Sequence, residues 1–323
     1  MRIRYLDKTR AICMIWIVAV WHLADYCDIT IKNQITSNIT YGVLGAFTFL
    51  SGVMLGGGWK IISLKDALAF YKRRLLRIYP LFAVSCTSML LLHIFFDVQL
   101  ISGLAQFLFT MIGLSIIFTP TPGTIWYVSM LLLFYALTPL LLFRSSSQKW
   151  RTILKSAVIY GAFLLILLSQ ISNVDERLLY LFPVYCVGLI IGRGKISNEK
   201  FRLLPFAVGL LAFAGLNYIQ YVAGIDELGL KVVYTISIIA AFIVVAMECG
   251  KLFVGKVGEL LEKISYASMC AYLFHRQIYG IFAKLFGTFS IIEAFGSFLC
   301  TIVICYYIQL KYDAFCRRVV KVE

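Results

Sequence analysis

The stretch "RYLDKTRAICMIWIVAVWHLADY", residues 4–26, decides the fold. A charged head ending at Arg10 is followed by eleven residues without charge, then by His22 and, three residues on, Asp25. A basic head leading into an apolar body is the pattern of a helix that enters a membrane from the cytoplasm. Imidazole is costly in hydrocarbon and is kept there where it has a task. His22 therefore marks a candidate functional position, against the plainer reading of a histidine that hydrogen-bonds a neighbouring helix for packing alone.

The same character runs through all 323 residues. The chain is 61% hydrophobic and only 14% charged, with a mean hydropathy of +0.88, whereas a soluble domain carries roughly 25% charged residues. Apolar runs of membrane length recur from end to end, so the fold class is all-α: a polytopic membrane helix bundle forming one integral-membrane domain over 1–323. The net charge of +14 does not point to nucleic acid, because the Lys and Arg residues sit in the short segments between apolar runs, where membrane orientation requires them. Nine cysteines at 13, 27, 86, 186, 249, 270, 300, 305 and 316 include no CxxC and read as small apolar fillers, not as disulfides or metal ligands. The first apolar run has no small-residue cleavage site and reads as a retained helix, not a signal peptide.

Eleven apolar runs can be drawn, at about 10–27, 40–58, 78–97, 101–119, 125–143, 153–171, 178–192, 203–222, 229–248, 264–286 and 288–310. Arg2, Arg4, Lys8 and Arg10 place the N-terminus inside, as do the six positive charges from Lys60 to Arg77 for the next basic segment. Basic loops recur at 144–155, 193–202, 249–263 and 311–321, and loops poor in Lys and Arg at 28–39, 172–177 and 223–228. All basic loops fall on one side only if one run between 98 and 143 does not cross. The run at 101–119, followed by "TPTPGT", is the candidate. This predicts ten spanning helices with both termini cytoplasmic.

Three stretches carry chemistry. In the first helix His22 lies 12 residues beyond Arg10, about 18 Å along the axis and just past mid-bilayer. The second stretch, "FLSGVMLGGGWKIISLKDALAFYKRRLLRIYPLF" (49–82), is predicted to carry Lys72, Arg73, Arg74 and Arg77 in a cytoplasmic loop, with Pro80 in the first turns of the next helix. Paired guanidinium groups suit phosphate through bidentate bonds, although topology alone also asks for basic residues here. The third, "ISYASMCAYLFHRQIYGIF" (264–282), places His275 about 16 Å into its helix if that helix starts near Ile264. Two of the three histidines thus reach one depth, while His93 reads as interfacial.

These stretches resemble integral-membrane acyltransferase family 3, the bacterial O-acyltransferases of surface polysaccharides, over most of the chain. The resemblance rests on "LD..R" leading to a histidine (Leu6, Asp7, Arg10, His22), on "FLSG" (Phe49 to Gly52) and on "RR..RI.P" (Arg73, Arg74, Arg77, Ile78, Pro80). It continues in "IWYVSMLLLFYALTPLL" (Trp126, Tyr127, Phe134, Tyr135, Pro139) and "ISYASMCAYLFH" (Ser265, Ser268, Tyr272, His275). Two features depart from the family. Eleven residues separate Arg10 from His22 where relatives commonly have ten, which turns the two about a third of a circle apart on a regular helix. Leu131, Leu132 and Leu133 also stand where many relatives carry Glu.

The resemblance implies acyl-CoA, acetyl-CoA foremost, as donor substrate with no tightly bound cofactor and no metal. The implied acceptor is a glycan or lipid-linked glycan, and the place is the bacterial cytoplasmic (inner) membrane. It implies donor binding by Arg10, Ser51, Gly52, Arg73, Arg74 and Arg77, and acceptor contacts by Trp126, Tyr127, Tyr135 and Tyr272. A neutral His22 would take the acceptor's hydroxyl proton, with Asp25 orienting its ring and His275 assisting transfer or binding the acceptor. The rival class is a transporter or flippase for a lipid-linked sugar, in which buried His and Arg act as relay or substrate groups; a structural membrane protein is the third reading.

Overall fold

The computed structural model describes residues 3–27, 29–118, 122–143, 175–194, 199–225 and 227–321. The apolar run at 153–171 and the 144–155 loop lie outside the described residues, as do parts of the segments at 119–124, 172–177, 193–202 and 223–228. The described residues are helical, without a strand, and divide into two units: Met1–Met54 with Pro183–Glu323, and Leu55–Phe182.

In the first unit the opening run is not one regular helix. α1 (Arg4–Ile15) passes into a π turn over Trp16–His22 and then a 3-10 turn over Leu23–Tyr26. Trp16, Val18, Val20 and Trp21 lose side-chain freedom in a regular helix. The Tyr279 hydroxyl donates to the Val18 carbonyl within the wide turn (3.2 Å), the kind of side-chain insertion that accompanies a break in the helical ladder. A π turn holds one residue more than an α turn, so it takes up the extra residue between Arg10 and His22 and removes most of the offset expected on a regular helix.

The first unit also holds α2 (Gln34–Gly58) as far as Met54, α7 (Arg177–Gly192) from Pro183 on, α8 (Leu203–Ala223), α9 (Leu228–Leu252), α10 (Gly255–Phe286) and α11 (Ile291–Lys321). α1 packs on α9 and α10, α8 on α9, and α10 on α11. Ala11, Cys13, Met14, Ile17 and Val18 are fully buried there. α8 is the opposite case: Leu203, Leu204, Leu211 and Tyr221 are at least 70% exposed. An apolar helix with so little cover fits a lipid-facing position.

Two close helix crossings depend on glycine. A Cβ on Gly250 of α9 would collide with Thr9 and the Tyr5 carbonyl of α1. α2 and α7 meet through Gly52 on one side and Gly188 and Gly192, a G-x-x-x-G pair, on the other. A Cβ at Gly188 would strike the Phe49 carbonyl, one at Gly192 the Val53 carbonyl, and one at Gly52 the Tyr185 carbonyl. Small residues let membrane helices approach to backbone contact. Gly188→Ala is expected to destabilise the bundle by about 1–3 kcal/mol, the usual cost of overpacking, read as a lower thermal midpoint in detergent. Gly215→Ala, where nothing lies within 4 Å, serves as the control that leaves the midpoint in place.

The second unit contains α3 (Leu64–Phe96), α4 (Leu104–Met111), α5 (Ser115–Phe118) and α6 (Trp126–Leu142). α3 begins earlier than the sequence suggests, because Ser63 and Asp66 form a capping box: the Asp66 amide donates to Ser63 Oγ (3.2 Å) and the Ser63 amide to Asp66 Oδ2 (2.9 Å). Lys72, Arg73, Arg74 and Arg77 therefore lie on a helix and not in a loop, and Pro80 falls well inside that helix, not in its first turns. The 33 residues of α3 rise about 50 Å, well beyond a hydrocarbon core of about 30 Å. No single helix covers 101–119. α4 has eight residues, about 12 Å, and a left-handed glycine, Gly113 (φ 76°), separates it from α5. The chain also turns on α3 by side-chain bonds, with Tyr79 donating to the Met111 carbonyl (3.1 Å) and Tyr71 to the Ala136 carbonyl (2.7 Å).

Among the described residues five helices are long and apolar enough to cross a membrane: α2, α3, α8, α9 and α11. Ten were expected: the run at 153–171 lies outside the described residues, and the other four differ for physical causes. The first run is broken at Trp16. α6 and α7 have 17 and 16 residues. α10 has 32 residues but interrupts its apolar stretch with His275, Arg276 and Gln277.

Candidate active site

His22 and His275 meet inside the first unit. The π turn delivers His22 and the middle of α10 delivers His275. His22 is 6% exposed and His275 fully buried. His22 Nδ1 lies 2.8 Å from His275 Nε2. The ring planes are within 10° of each other and the centroids are 4.9 Å apart. With nitrogens in hydrogen-bond contact, that centroid separation means that the rings meet edge to edge, in line, and do not overlap face to face.

The remaining contact orders the protons. His275 Nδ1 is 2.9 Å from the Ala271 carbonyl oxygen. A carbonyl only accepts, so Nδ1 of His275 carries a hydrogen. In a neutral ring its Nε2 is then bare and accepts from His22 Nδ1–H. Neutral His22 in turn has a bare Nε2. The pair is a directed chain, from backbone carbonyl to His275 to His22, that leaves one basic nitrogen available.

Aromatic rings enclose the pair. Tyr279, one turn beyond His275 and fully buried, stands edge-on to it at 5.8 Å, and Tyr272 lies 6.0 Å away. Tyr26 packs against Tyr279 and Phe289. Tyr279 was not singled out in the sequence, although its spacing of four from His275 puts both on one helix face.

Asp25 takes a different place from the one expected. Its carboxylate does not orient His22, whose Nδ1 is taken by His275. One Asp25 oxygen receives Lys32 Nζ and the other Arg276 at 2.8 Å. Charge-assisted bonds to two cations outweigh a neutral imidazole N–H. Arg276, directly after His275, was likewise not anticipated; a carboxylate at the end of an apolar segment was the signal that a cation would meet it.

The other expected donor residues divide between the units. In the first, Arg10 pairs with Asp7 one turn away at 3.8 Å. Ser51 donates to the Phe47 carbonyl of its own helix (2.9 Å), and Gly52 is occupied by its crossing with α7. Ser51 and Gly52 thus both take part in helix packing. In the second unit, Lys72, Arg73 and Arg77 are exposed on α3 and Arg74 is half-buried. Arg73 lies over the Trp59 ring at 5.6 Å. Trp126, Tyr127 and Tyr135 are buried on α6. Trp126 is covered by Arg177, whose guanidinium carbon stands 3.7 Å from its ring centroid and which is bound in turn by Asp175. Among the described residues no group of three His, Cys, Asp or Glu residues is placed to hold a metal ion.

Several membrane-length helices among the described residues, with a buried histidine pair in the first unit, define a multi-pass membrane protein. The model of the acyltransferase domain of acyltransferase family 3 matches residues 3–310, and the chain belongs to that family. Neither a curated protein nor a solved structure matches it.

Proposed function

We propose that this chain transfers an acyl group, acetyl foremost, from acyl-CoA to a hydroxyl of a cell-surface glycan or its lipid-linked precursor, within the bacterial cytoplasmic membrane. The observation that carries this reading is the hydrogen bond between His22 and His275 and the bare Nε2 that it leaves on His22. That nitrogen removes the proton of the acceptor hydroxyl as the oxygen attacks the thioester carbonyl. The tetrahedral adduct collapses, the C–S bond breaks, and the CoA thiolate leaves with the proton returned by the His22 imidazolium. His275 accepts throughout from His22 Nδ1–H, a bond that strengthens when His22 is charged.

Arg73, Arg74 and Arg77 supply the phosphate-binding group for the donor, with Arg74 and Arg77 three residues apart on one face of α3. The charge pattern supports ten crossings with both termini cytoplasmic, and the broken helix at 101–119 supports its being the run that does not cross.

The test is purified protein in detergent with radiolabelled acetyl-CoA and a glycoside acceptor. Label is expected in the acceptor, or released slowly by hydrolysis. Arg74→Ala with Arg77→Ala is expected to weaken CoA binding about tenfold or more, one charge-assisted bond of ~1.5 kcal/mol, and added salt should weaken the wild type likewise. An intact thioester after prolonged incubation, with the glycoside carried across vesicles instead, would establish the transporter.

A further inference from the structure

The Asp25–Arg276 pair joins the same two segments as the histidine pair. Arg276 directly follows His275, and Asp25 sits three residues beyond His22 in the 3-10 turn, where residues three apart eclipse. The charged contact is thus the next rung after the catalytic one. It is also incomplete. Two cations, Arg276 and Lys32, share the single Asp25 carboxylate, which leaves a net positive charge. The Arg276 Nε–H is buried and meets no acceptor. A buried donor without a partner costs free energy that a ligand's acceptor can recover. Lys32 is about half exposed and extends over the Trp21 ring at 5.5 Å, so its ammonium stands at the open side of the cluster.

We propose that Arg276 and Lys32 form an anion-binding site beside the histidine pair that selects an acceptor bearing a carboxylate or phosphate. The proposal rests on the acyl-transfer reading above. A purely structural clasp would be satisfied by one cation on one carboxylate. A guanidinium with an unused donor next to an exposed ammonium matches the two oxygens of an incoming anion. Its place along the chain assigns that anion to the acceptor. Asp25 lies 15 residues beyond Arg10, about 22 Å on at helical rise, at the opposite end of the first segment from the basic head. In the proposed topology that is the outer end, where a glycan acceptor arrives.

The experiment compares an alkyl glucoside with the corresponding alkyl glucuronide, using full-length protein and radiolabelled acetyl-CoA. The expected result is a KM at least tenfold lower for the glucuronide in the wild type. Lys32→Gln and Arg276→Gln should each raise the glucuronide KM severalfold or more and so narrow the preference. Lys32 is in an exposed segment, so its variant reports even if Arg276→Gln fails to fold. Equal KM values for the two glycosides in the wild type would overturn the proposal while leaving acyl transfer standing. So would a fall in kcat that is equal on both acceptors, which marks a clasp, or a rise confined to the KM of acetyl-CoA, which assigns the anion to the donor. No label in either glycoside, with the acetyl-CoA thioester left intact, would overturn the acyl-transfer reading and this proposal with it.

Discussion

His22→Gln abolishes acyl transfer, with an expected loss of roughly 10²–10⁴-fold, the range of a single general base. The variant is chosen because it removes one property and keeps another. An amide N–H can still donate to His275 Nε2, so the 2.8 Å contact has a replacement and α10 keeps its partner. No atom of the amide can take a hydroxyl proton. His22→Ala should do the same harm by a cruder route, since it also leaves His275 Nε2 without a donor. Binding of acyl-CoA should survive both changes, because the phosphates are assigned to Arg73, Arg74 and Arg77. Labelled donor and acceptor give the rate, and CoA binding measured on the same preparation separates a chemical loss from a folding one. Near-normal transfer by the Gln variant would make His22 a packing group.

Much of this site is legible in the sequence, and what is not legible has identifiable reasons. An imidazole among apolar residues stands out because hydrocarbon makes polar groups expensive, and distance from the basic head sets its depth to within a turn. This is why His22 and His275 could be placed at one level from sequence alone. The π turn is visible only as an anomaly, one residue too many between Arg10 and His22. Resolving it takes the partner Tyr279, 261 positions away. The extension of α3 back to Leu64 was written in "SLKD", a capping box whose N3 residue is Asp, hidden inside a stretch whose basic residues read as a loop. The role of Gly52 depends on Gly188 and Gly192 in a distant helix, so the local motif "FLSG" could not show whether it serves a ligand or a crossing. Asp25 failed for the same cause: three residues from His22 is close in sequence, but a carboxylate goes to the strongest available donors, and these come from Lys32 and from α10.

His275 is expected to act through His22, and two substitutions separate that role from a catalytic one. His275→Leu removes the acceptor for His22 Nδ1–H. The hydrogen is then buried without a partner, the ring is free to adopt the other tautomer with its bare nitrogen pointing the wrong way, and the charged form loses a bond of ~1.5–3 kcal/mol. The expected fall in kcat is roughly 10–10²-fold, from about 1.4 kcal/mol per factor of ten, with the KM for acyl-CoA unchanged. His275→Gln restores an acceptor, since its amide oxygen can receive Nδ1–H, and should recover a substantial part of the rate lost in the Leu variant. The same Gln substitution is thus expected to be fatal at position 22 and tolerated at position 275. The asymmetry follows from the backbone: the Ala271 carbonyl holds a hydrogen on His275 Nδ1, so a neutral His275 spends its only lone-pair nitrogen on His22 and has none left for substrate. If His275→Gln proves as inactive as His22→Gln while His275→Leu is no worse, proton transfer passes through both rings, and His275 belongs among the catalytic residues.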